Sequence, residues 1–360
     1  MRPGARLSQP TEPSQPLKRV VYVALLLTLW AALLELFVRM LLVVSPWHLP
    51  VLGDAKDPLV PSMVWNGTLG PYRSWSPTLG WENEPGAHVR LGEGNVRWPA
   101  ETIEPSGARR TRPVSLDRIR GLRRAVAVGD SFLFGMEVGD DDVFTAVAER
   151  ALPDWEILNY GVPGYGQDQA LLQLRQRGLP LHPDVVIFGH VYADMERNDH
   201  DFMYARKPRF LLGDQGLVLT GVPVPDFEAM AAADRRRIKT FDVLGALARQ
   251  TGWVKPDWRA SNALSEAILR AVVTESRAAG AVPILVFMPT PTPGGHYADV
   301  PTAPFNVVCQ SLDVTCLDLR PAFDEAAARG ESLIVVQHWS AAGHRIAATA
   351  LEKALGALPP

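Results

Sequence analysis

An excess of positive charge is the first property that this sequence lacks. Its 360 residues carry 36 Lys and Arg against 39 Asp and Glu, which gives a formal net charge of −3. Nucleic-acid-binding chains usually present a basic surface, so we expect no nucleic-acid partner. The acidic run Asp140–Asp142 has no further ligands at a metal-binding spacing, and we interpret it as the start of a helix. We therefore expect neither a metal nor a cofactor.

Cysteine is also scarce, because Cys309 and Cys316 are the only two in the chain. So small a number is compatible with either a reducing or an oxidising compartment. If the domain is exported, the pair could form a disulfide that closes a short loop. We nevertheless expect two unpaired, buried thiols, because free cysteine is among the most buried residue types.

One long apolar run stands near the N-terminus, at Val20 to Val44, and it follows a polar, basic tail. About 20 apolar residues in a helix are enough to cross a bilayer. Glu35 and Arg39 lie four residues apart on one helical face, where they can pair. The basic residues before the run predict a cytoplasmic N-terminus and an uncleaved signal anchor, with the rest of the chain outside the cytoplasm. The alternative is a buried amphipathic helix.

Beyond residue 120, short apolar runs alternate with helical patterns, which is typical of a parallel sheet covered on both faces. The expected fold is a three-layer α/β/α sandwich with a flavodoxin-like parallel sheet of about five strands. The predicted strands are Ala125–Val128, Trp155–Leu158, Val185–Phe188, Val282–Met288 and Thr315–Leu317. The predicted helices are 140–151, Gln167–Arg177, Ser261–Ala279, Thr302–Gln310 and Ala341–Leu355.

The domain organisation follows from these changes in pattern. We predict a cytoplasmic tail, a transmembrane anchor, a linker with an irregular pre-domain, and an α/β domain with an insertion beside its site. The tail is 1–19, the anchor is 20–44, and the linker with its pre-domain is 45–120. The α/β domain is 121–358, with the insertion at 195–260.

A candidate nucleophile, Ser131, directly follows the first predicted strand in the stretch GDSFLFG. Ligands of open parallel sheets gather at the carboxyl ends of the strands. A serine hydroxyl needs a base within hydrogen-bond reach, and His338 in QHWSAAGH is the best candidate. The backbone N–H groups of Ser131 and Gly164 could stabilise an oxyanion. Taken alone, the GDS tripeptide could equally be a helix cap.

Three stretches together resemble the SGNH/GDSL hydrolases, most closely the membrane-anchored bacterial members that are related to polysaccharide O-acetyl esterases and acetyltransferases. They are GDSFLFG, NYGVPGYGQDQALLQLRQRGLPLHPDVVIFG and HWSAAGHRIAATAL, and TLGWENEPG resembles the family's leader. The resemblance covers roughly residues 76–355. It implies that Ser131 is the nucleophile, Gly164 an oxyanion donor and His338 the general base.

Two positions depart from the family's pattern. Ala193 precedes Asp194 where the family has an Asn-Asp pair, so the amide that completes the oxyanion hole is missing. Val335 and Val336 stand where an acid would orient His338. In serine hydrolases these losses cost on the order of 10²–10³ and 10⁴ in rate.

Other residues could compensate, and the sequence does not select among them. His190, Tyr192, Asp194 and Asn198 fall near the end of the third strand, and Glu331 lies seven residues before His338. We expect a Ser-His dyad that works without a carboxylate at the usual position.

The resemblance implies an extracytoplasmic serine ester hydrolase or O-acyltransferase that acts on acetyl or other short acyl esters of a cell-envelope glycan. The expected partners are such an acylated glycan or a small ester, and the membrane through the N-terminal helix. The alternative is a catalytically degenerate domain that binds a glycan or an envelope partner through the same cleft.

Overall fold

The computed structural model describes residues 15–44, 73–89, 98–110, 112–115, 117–203, 205–255, 257–290 and 296–359. Residues 1–14 of the predicted tail and residues 45–72 of the predicted linker lie outside the described residues. The chain divides into two compact units. One takes in Met1–Val60 and Arg236–Lys255, and the other Pro61–Arg235 and Pro256–Pro360.

The larger unit is built on a five-stranded, wholly parallel sheet. Its strands are β5 (Arg123–Val128), β6 (Trp155–Asn159), β7 (Val185–His190), β10 (Val282–Phe287) and β11 (Thr315–Asp318). They lie in the order β11-β10-β7-β5-β6, with parallel pairing throughout. Counted along the chain this order is 2-1-3-4-5, which is the flavodoxin-like order. The predicted fold class is confirmed, and each predicted strand is present with its ends shifted by no more than two residues.

Alternate strand residues enter two separate apolar layers, because successive side chains of a strand point to opposite faces. Val126 and Phe188 belong to one layer, while Ala127 and Ile187 belong to the other. The first layer is covered by the helices α4 (Gln167–Gln173) and α8 (Trp258–Ala278). The second layer is covered by α3 (Phe144–Ala151), α10 (Arg320–Ala328) and α11 (Ala341–Gly356).

The remaining elements of this unit are short. Between β5 and α3 lie a four-residue helix, α2 (Ser131–Phe134), and a 3₁₀ turn at Asp140–Asp142. Helix α4 continues into a π-helical turn at Leu174–Gly178 and a 3₁₀ turn at Leu179–Leu181, and another 3₁₀ turn lies at Tyr297–Asp299. The other helices are α5 (Tyr192–Asn198), α6 (Phe227–Arg236) and α9 (Ala303–Ser311). Three antiparallel strand pairs complete it: β1 (Arg73–Ser76) with β2 (Gly80–Asn83), β3 (Gly86–His88) with β4 (Glu101–Ile103), and β8 (Arg209–Gly213) with β9 (Gly216–Thr220).

The cysteines form a disulfide, so the expectation of two free thiols was wrong. Cys309 lies in α9 and Cys316 in β11, with their Cα atoms 6.1 Å apart. The seven-residue spacing brings the end of α9 back beside the start of the edge strand, within the distance that a disulfide needs. The spacing allowed this geometry but did not select it.

The smaller unit contains α1 (Gln15–Val44) and α7 (Lys239–Gln250). Residues Pro16–Leu42 of α1 include an 18-residue stretch with mean hydropathy 2.3, and this part of the helix is long and apolar enough to cross a membrane. An N-terminal signal sequence has the same properties.

Candidate active site

Ser131 begins α2 at the carboxyl end of β5, next to the end of β7. These are the first and third strands of the sheet, so Ser131 lies at the topological switch point where such sheets bind their ligands. Asp130 caps α2, and its Oδ1 accepts the Phe132 N–H at 2.9 Å. The helix-cap interpretation of GDS is therefore satisfied by Asp130 Oδ1, while Asp130 Oδ2 lies 3.5 Å from the Ser131 hydroxyl. Ser131 is 4% exposed.

His338 lies within hydrogen-bond distance of Ser131. Its Nε2 is 2.9 Å from Ser131 Oγ. The next residue, Trp339, is fully buried against Phe132 and donates its indole N–H to Pro289 O at 2.9 Å. This buried tryptophan holds the loop that carries His338, and the histidine ring itself packs against Phe132 with 4.8 Å between the ring centroids.

A carboxylate also contacts His338, and it comes from a position that the sequence analysis did not consider. Glu137 Oε1 lies 2.8 Å from His338 Nδ1. The site is therefore a continuous chain of three side chains, Ser131–His338–Glu137, and the expected dyad without a carboxylate partner was wrong. The signal in the sequence was a single acid in the apolar loop FLFGMEVG, six residues after the serine.

The loop before α11 holds this carboxylate with its backbone. Glu137 Oε2 accepts the N–H of Val336 at 2.8 Å, of Gln337 at 3.2 Å and of His338 at 3.3 Å. Three successive N–H groups aimed at one oxygen form a concave anion site. The backbone at position 336 thus binds a carboxylate from another part of the chain, while the Val335 and Val336 side chains are more than half exposed.

The Glu137 carboxyl is ionised more readily than an ordinary glutamate. Burial raises its pKa, but the hydrogen bonds from His338 and from the Val336 N–H outweigh burial, so the pKa lies below its usual value. An ionised acceptor at Nδ1 keeps the imidazole proton on that nitrogen and leaves Nε2 free to accept the proton of Ser131 Oγ.

Arg109 holds the loop on both sides of Glu137. Its guanidinium donates to Phe134 O at 3.0 Å, to Gly135 O, and to Val138 O at 2.7 Å, and its Nε pairs with Asp140 Oδ1 at 3.1 Å. Glu137 itself has a positive φ of 73°, a conformation that a non-glycine residue adopts at a cost. The arginine provides the surrounding bonds that keep the loop in this conformation.

Gly164 lies in the turn between β6 and α4, in a left-handed conformation with φ of 86°. The turn packs closely on α2, since a Cβ added at Gly161 would lie 2.4 Å from Phe134 N. Among the described residues, no protein acceptor binds the backbone N–H of Ser131 or of Gly164. Both N–H groups are therefore available to a ligand.

The leader stretch also supports this turn. Trp81 is fully buried and donates to Pro163 O at 3.0 Å, and Asn83 Nδ2 donates to Gly161 O at 2.8 Å. Residues on β2 thus position the turn that carries Gly164.

The residues named as possible compensation for the missing groups make hydrogen bonds of their own. Asp194 accepts the Val191 N–H at 3.0 Å and pairs with Arg197 at 2.5 Å. Asn198 donates to Gln167 Oε1 at 2.9 Å, and His190 Nδ1 lies 3.1 Å from Gln167 Nε2. None of these hydrogen bonds reaches Ser131 or His338, and a compensating role for these residues stays a prediction. Glu331 is exposed and pairs with Arg329 instead.

The pKa values of His190 and Asp194 also depart from the usual values of these residue types. Burial lowers the pKa of His190 to about 4, which keeps it neutral. Burial and the nearby Asp130 raise the pKa of Asp194 well above its usual value. Ala193 is half-buried, and no amide stands at its position.

The acidic run Asp140–Asp142 makes protein contacts. Asp140 accepts the Thr102 N–H at 3.0 Å in addition to its pair with Arg109, and Asp141 pairs with Arg150 at 3.4 Å. Among the described residues, no group of three or more His, Cys, Asp or Glu side chains could hold a metal ion.

Comparisons with known proteins give low similarity. No family model and no curated protein matches the chain. Among solved structures, a lipase/acylhydrolase from Enterococcus faecalis is 16% identical with a TM-score of 0.41, over 66% of this chain and 98% of that one. An acetylxylan esterase from Geobacillus stearothermophilus is 15% identical with a TM-score of 0.40, over 67% and 97%. A member of the lipolytic protein G-D-S-L family from Veillonella parvula is 12% identical with a TM-score of 0.39, over 66% and 100%.

Proposed function

We propose that this protein is a serine ester hydrolase that acts through Ser131, His338 and Glu137. The observation that carries the proposal is the unbroken chain of hydrogen bonds from Ser131 Oγ to His338 Nε2 at 2.9 Å and from His338 Nδ1 to Glu137 at 2.8 Å. A nucleophile, a base within its reach and a third group that orients the base are the general signature of nucleophilic catalysis.

In the proposed reaction, Ser131 Oγ attacks the ester carbonyl carbon while its proton passes to His338 Nε2. The negative charge on the carbonyl oxygen is stabilised by the N–H groups of Ser131 and Gly164. As the tetrahedral intermediate collapses, the C–O bond to the alcohol breaks and His338 returns the proton to the leaving oxygen. An acyl-serine remains. Glu137 accepts the Nδ1–H throughout and stabilises the imidazolium without taking its proton.

The second half of the reaction uses the same groups. His338 removes a proton from an incoming hydroxyl, whose oxygen attacks the acyl carbon. The bond from that carbon to Ser131 Oγ then breaks, and His338 returns the proton to Oγ. Water as this nucleophile gives hydrolysis, and a sugar hydroxyl gives acyl transfer. The balance depends on how well the closed site excludes water.

The proposed substrates are acetyl or other short acyl esters of a cell-envelope glycan, on the strength of the resemblance in the three sequence stretches. The proposed location is the cell membrane, with α1 as a single-pass anchor and the α/β unit outside the cytoplasm. A reporter that is active only outside the cytoplasm, fused after the last residue, tests the orientation. An inactive reporter in a fusion that is stably produced contradicts it.

Labelling by a fluorophosphonate probe and hydrolysis of an activated acetate ester test the proposed activity. The full-length protein in detergent is compared with Ser131→Ala and His338→Ala, and Ser332→Ala serves as a matched control because Ser332 is exposed. We expect labelling and turnover in the wild type and the control, and their loss in both site variants. Absence of labelling in folded wild-type protein would contradict the proposal and favour a glycan-binding domain that lacks activity, which the missing amide at Ala193 would then explain.

A further inference from the structure

Helix α7 and the residues that follow it expose an apolar face. Phe241 and Leu244 are 69% and 55% exposed, and their spacing of three residues places them on one side of the helix, while Ile238, directly before the helix, is 53% exposed. Trp253 and Val254, just beyond the helix, are 87% and 55% exposed. Large side chains on one continuous face, with a tryptophan at its end, mark an interaction surface.

The same helix is joined to α1 by its N-terminus. The Glu35 carboxylate accepts the N–H of Lys239 and of Thr240, each at 2.9 Å, and thereby caps the first turn of α7. Arg39 Nη2 donates to Arg237 O at 2.5 Å. Among the described side chains of α1, only Val38 is buried. These contacts fix α7 against one stretch of α1.

The position of these contacts along α1 sets the depth of α7. Glu35 lies seven residues before Leu42, the end of the apolar span. At 1.5 Å per residue this is about 10 Å from the end of the span. The 27-residue span is about 40 Å long and a hydrocarbon core is about 30 Å thick, so a centred span places Glu35 about 5 Å inside the boundary between the acyl chains and the headgroups. The apolar face of α7 therefore begins at the depth of a membrane surface, and it is continuous with the helix that would enter the membrane.

The charge around α7 fits the same surface. Arg236 precedes the helix and Lys255 follows Val254, and both are exposed, whereas Arg237 and Lys239 pair with Asp242 of the helix itself. Basic residues beside an apolar helical face attract the phosphates of lipid headgroups, and tryptophan is enriched at membrane interfaces.

We propose that residues 238–254 form an interfacial membrane-binding segment, whose Ile238, Phe241, Leu244, Trp253 and Val254 side chains insert into the boundary between lipid headgroups and acyl chains. This proposal rests on the membrane anchoring by α1 that is part of the proposed function, but not on the proposed catalytic activity. It gives the protein a second contact with the lipid beyond the anchor.

Spin labels on the full-length protein in nanodiscs of phosphatidylcholine and phosphatidylglycerol test the proposal. Nitroxides are attached to Phe241→Cys and, separately, to Leu244→Cys, because the two native cysteines are joined in a disulfide. Leu29→Cys in α1 and Glu325→Cys on the exposed side of α10 are the references for lipid and water. Collision rates with oxygen and with a water-soluble nickel chelate are measured at each position.

We expect both α7 labels to favour oxygen over the nickel chelate, at a depth of about 5–10 Å below the headgroup phosphates. If both α7 labels prefer the nickel chelate, as the water reference Glu325→Cys does, the proposal is overturned. In that case, a preference for oxygen at Leu29→Cys shows that α1 is still in the membrane. Shielding from both quenchers with dipolar broadening between labels also overturns it, because a second copy of the chain then covers the face. Preference for the chelate at Leu29→Cys overturns the anchoring and this proposal together. Ester hydrolysis by the labelled proteins, unchanged from wild type, shows that the α/β unit is folded and tests the catalytic proposal separately.

Discussion

Two clusters of polar side chains lie near the carboxyl edge of the sheet, and they are built differently. In the first, Glu137, His338 and Ser131 form a line whose last member is a hydroxyl. In the second, polar groups at the end of β7, on α5 and at the start of α4 bind mostly one another or the backbone. Its members are Gln167, His190, Asp194, Arg197 and Asn198.

The difference between the clusters is electrostatic as well as geometric. Backbone N–H groups and His338 keep the pKa of Glu137 below its usual value, whereas burial and Asp130 raise the pKa of Asp194. Only the first cluster places a readily ionised carboxylate against a histidine that reaches a hydroxyl. Position near the edge of the sheet is therefore insufficient to identify a catalytic group, since both clusters have it.

The largest effect is expected from Glu137→Gln, which replaces the carboxylate in the first cluster with a neutral amide of similar size. We expect kcat for an activated acetate ester to fall about 10⁴-fold, because the imidazolium loses its anionic partner. Glu331→Gln is the matched control, and we expect it to keep wild-type turnover. Equal loss in both variants would contradict the assignment of Glu137.

Arg109→Lys should have an intermediate effect, because lysine cannot bond Phe134 O, Gly135 O and Val138 O together. A shift of the Glu137 loop should lower kcat about 10²-fold. In the Glu137→Gln background the same change should cost much less, since the carboxylate that Arg109 positions is already gone. Equal losses in both backgrounds, measured by steady-state kinetics, would show that Arg109 acts independently of Glu137.

Asn198→Ala should affect stability more than activity. It leaves Gln167 Oε1 and the Asp168 N–H without their partner, at a cost of about 1–3 kcal/mol in the free energy of unfolding. Urea unfolding measures this cost, and ester hydrolysis by the folded variant should stay close to wild type. A fall in kcat of about 10²–10³-fold would instead identify Asn198 as an oxyanion donor.

The smallest effect concerns pH and the stabilisation that Glu137 contributes. Its pKa in the folded protein is below the value of about 4.3 for an unperturbed glutamate, so the unfolded state binds the proton more readily. The contribution is fully present above the unfolded pKa and is lost as the pH falls through the folded pKa. The difference in unfolding free energy between wild type and Glu137→Gln should therefore shrink on acidification below about pH 5. A constant difference would contradict the lowered pKa.

The sequence predicted the sheet because its strands are apolar runs of β length separated by helical patterns. It did not predict α10, whose Arg320–Ala328 follows β11 after one residue, or the helices α6 and α7 within the 195–260 segment. Those elements depend on packing against parts of the chain that are distant in sequence. The disulfide was missed for the same reason, since it depends on how α9 returns to β11.

The candidate site was predictable only in part. Ser131, Gly164 and His338 stand in motifs whose spacing is local, and their catalytic roles remain predictions. Glu137 was missed because its partner lies 201 residues away and because the family's pattern directs attention to the residues just before His338. The backbone N–H groups that bind its carboxylate have no signature in the sequence.

The rate of fluorophosphonate labelling of Ser131 in Glu137→Gln, relative to wild type, is the decisive measurement for the role of Glu137 in the chain of three side chains. Labelling requires only attack by the serine and proton transfer to His338, so it does not depend on the natural substrate. The three-residue chain predicts labelling slower by about 10³–10⁴-fold in a variant that is folded by circular dichroism. Labelling of that variant at the wild-type rate would show that His338 is oriented without Glu137, and the proposed chain would be wrong.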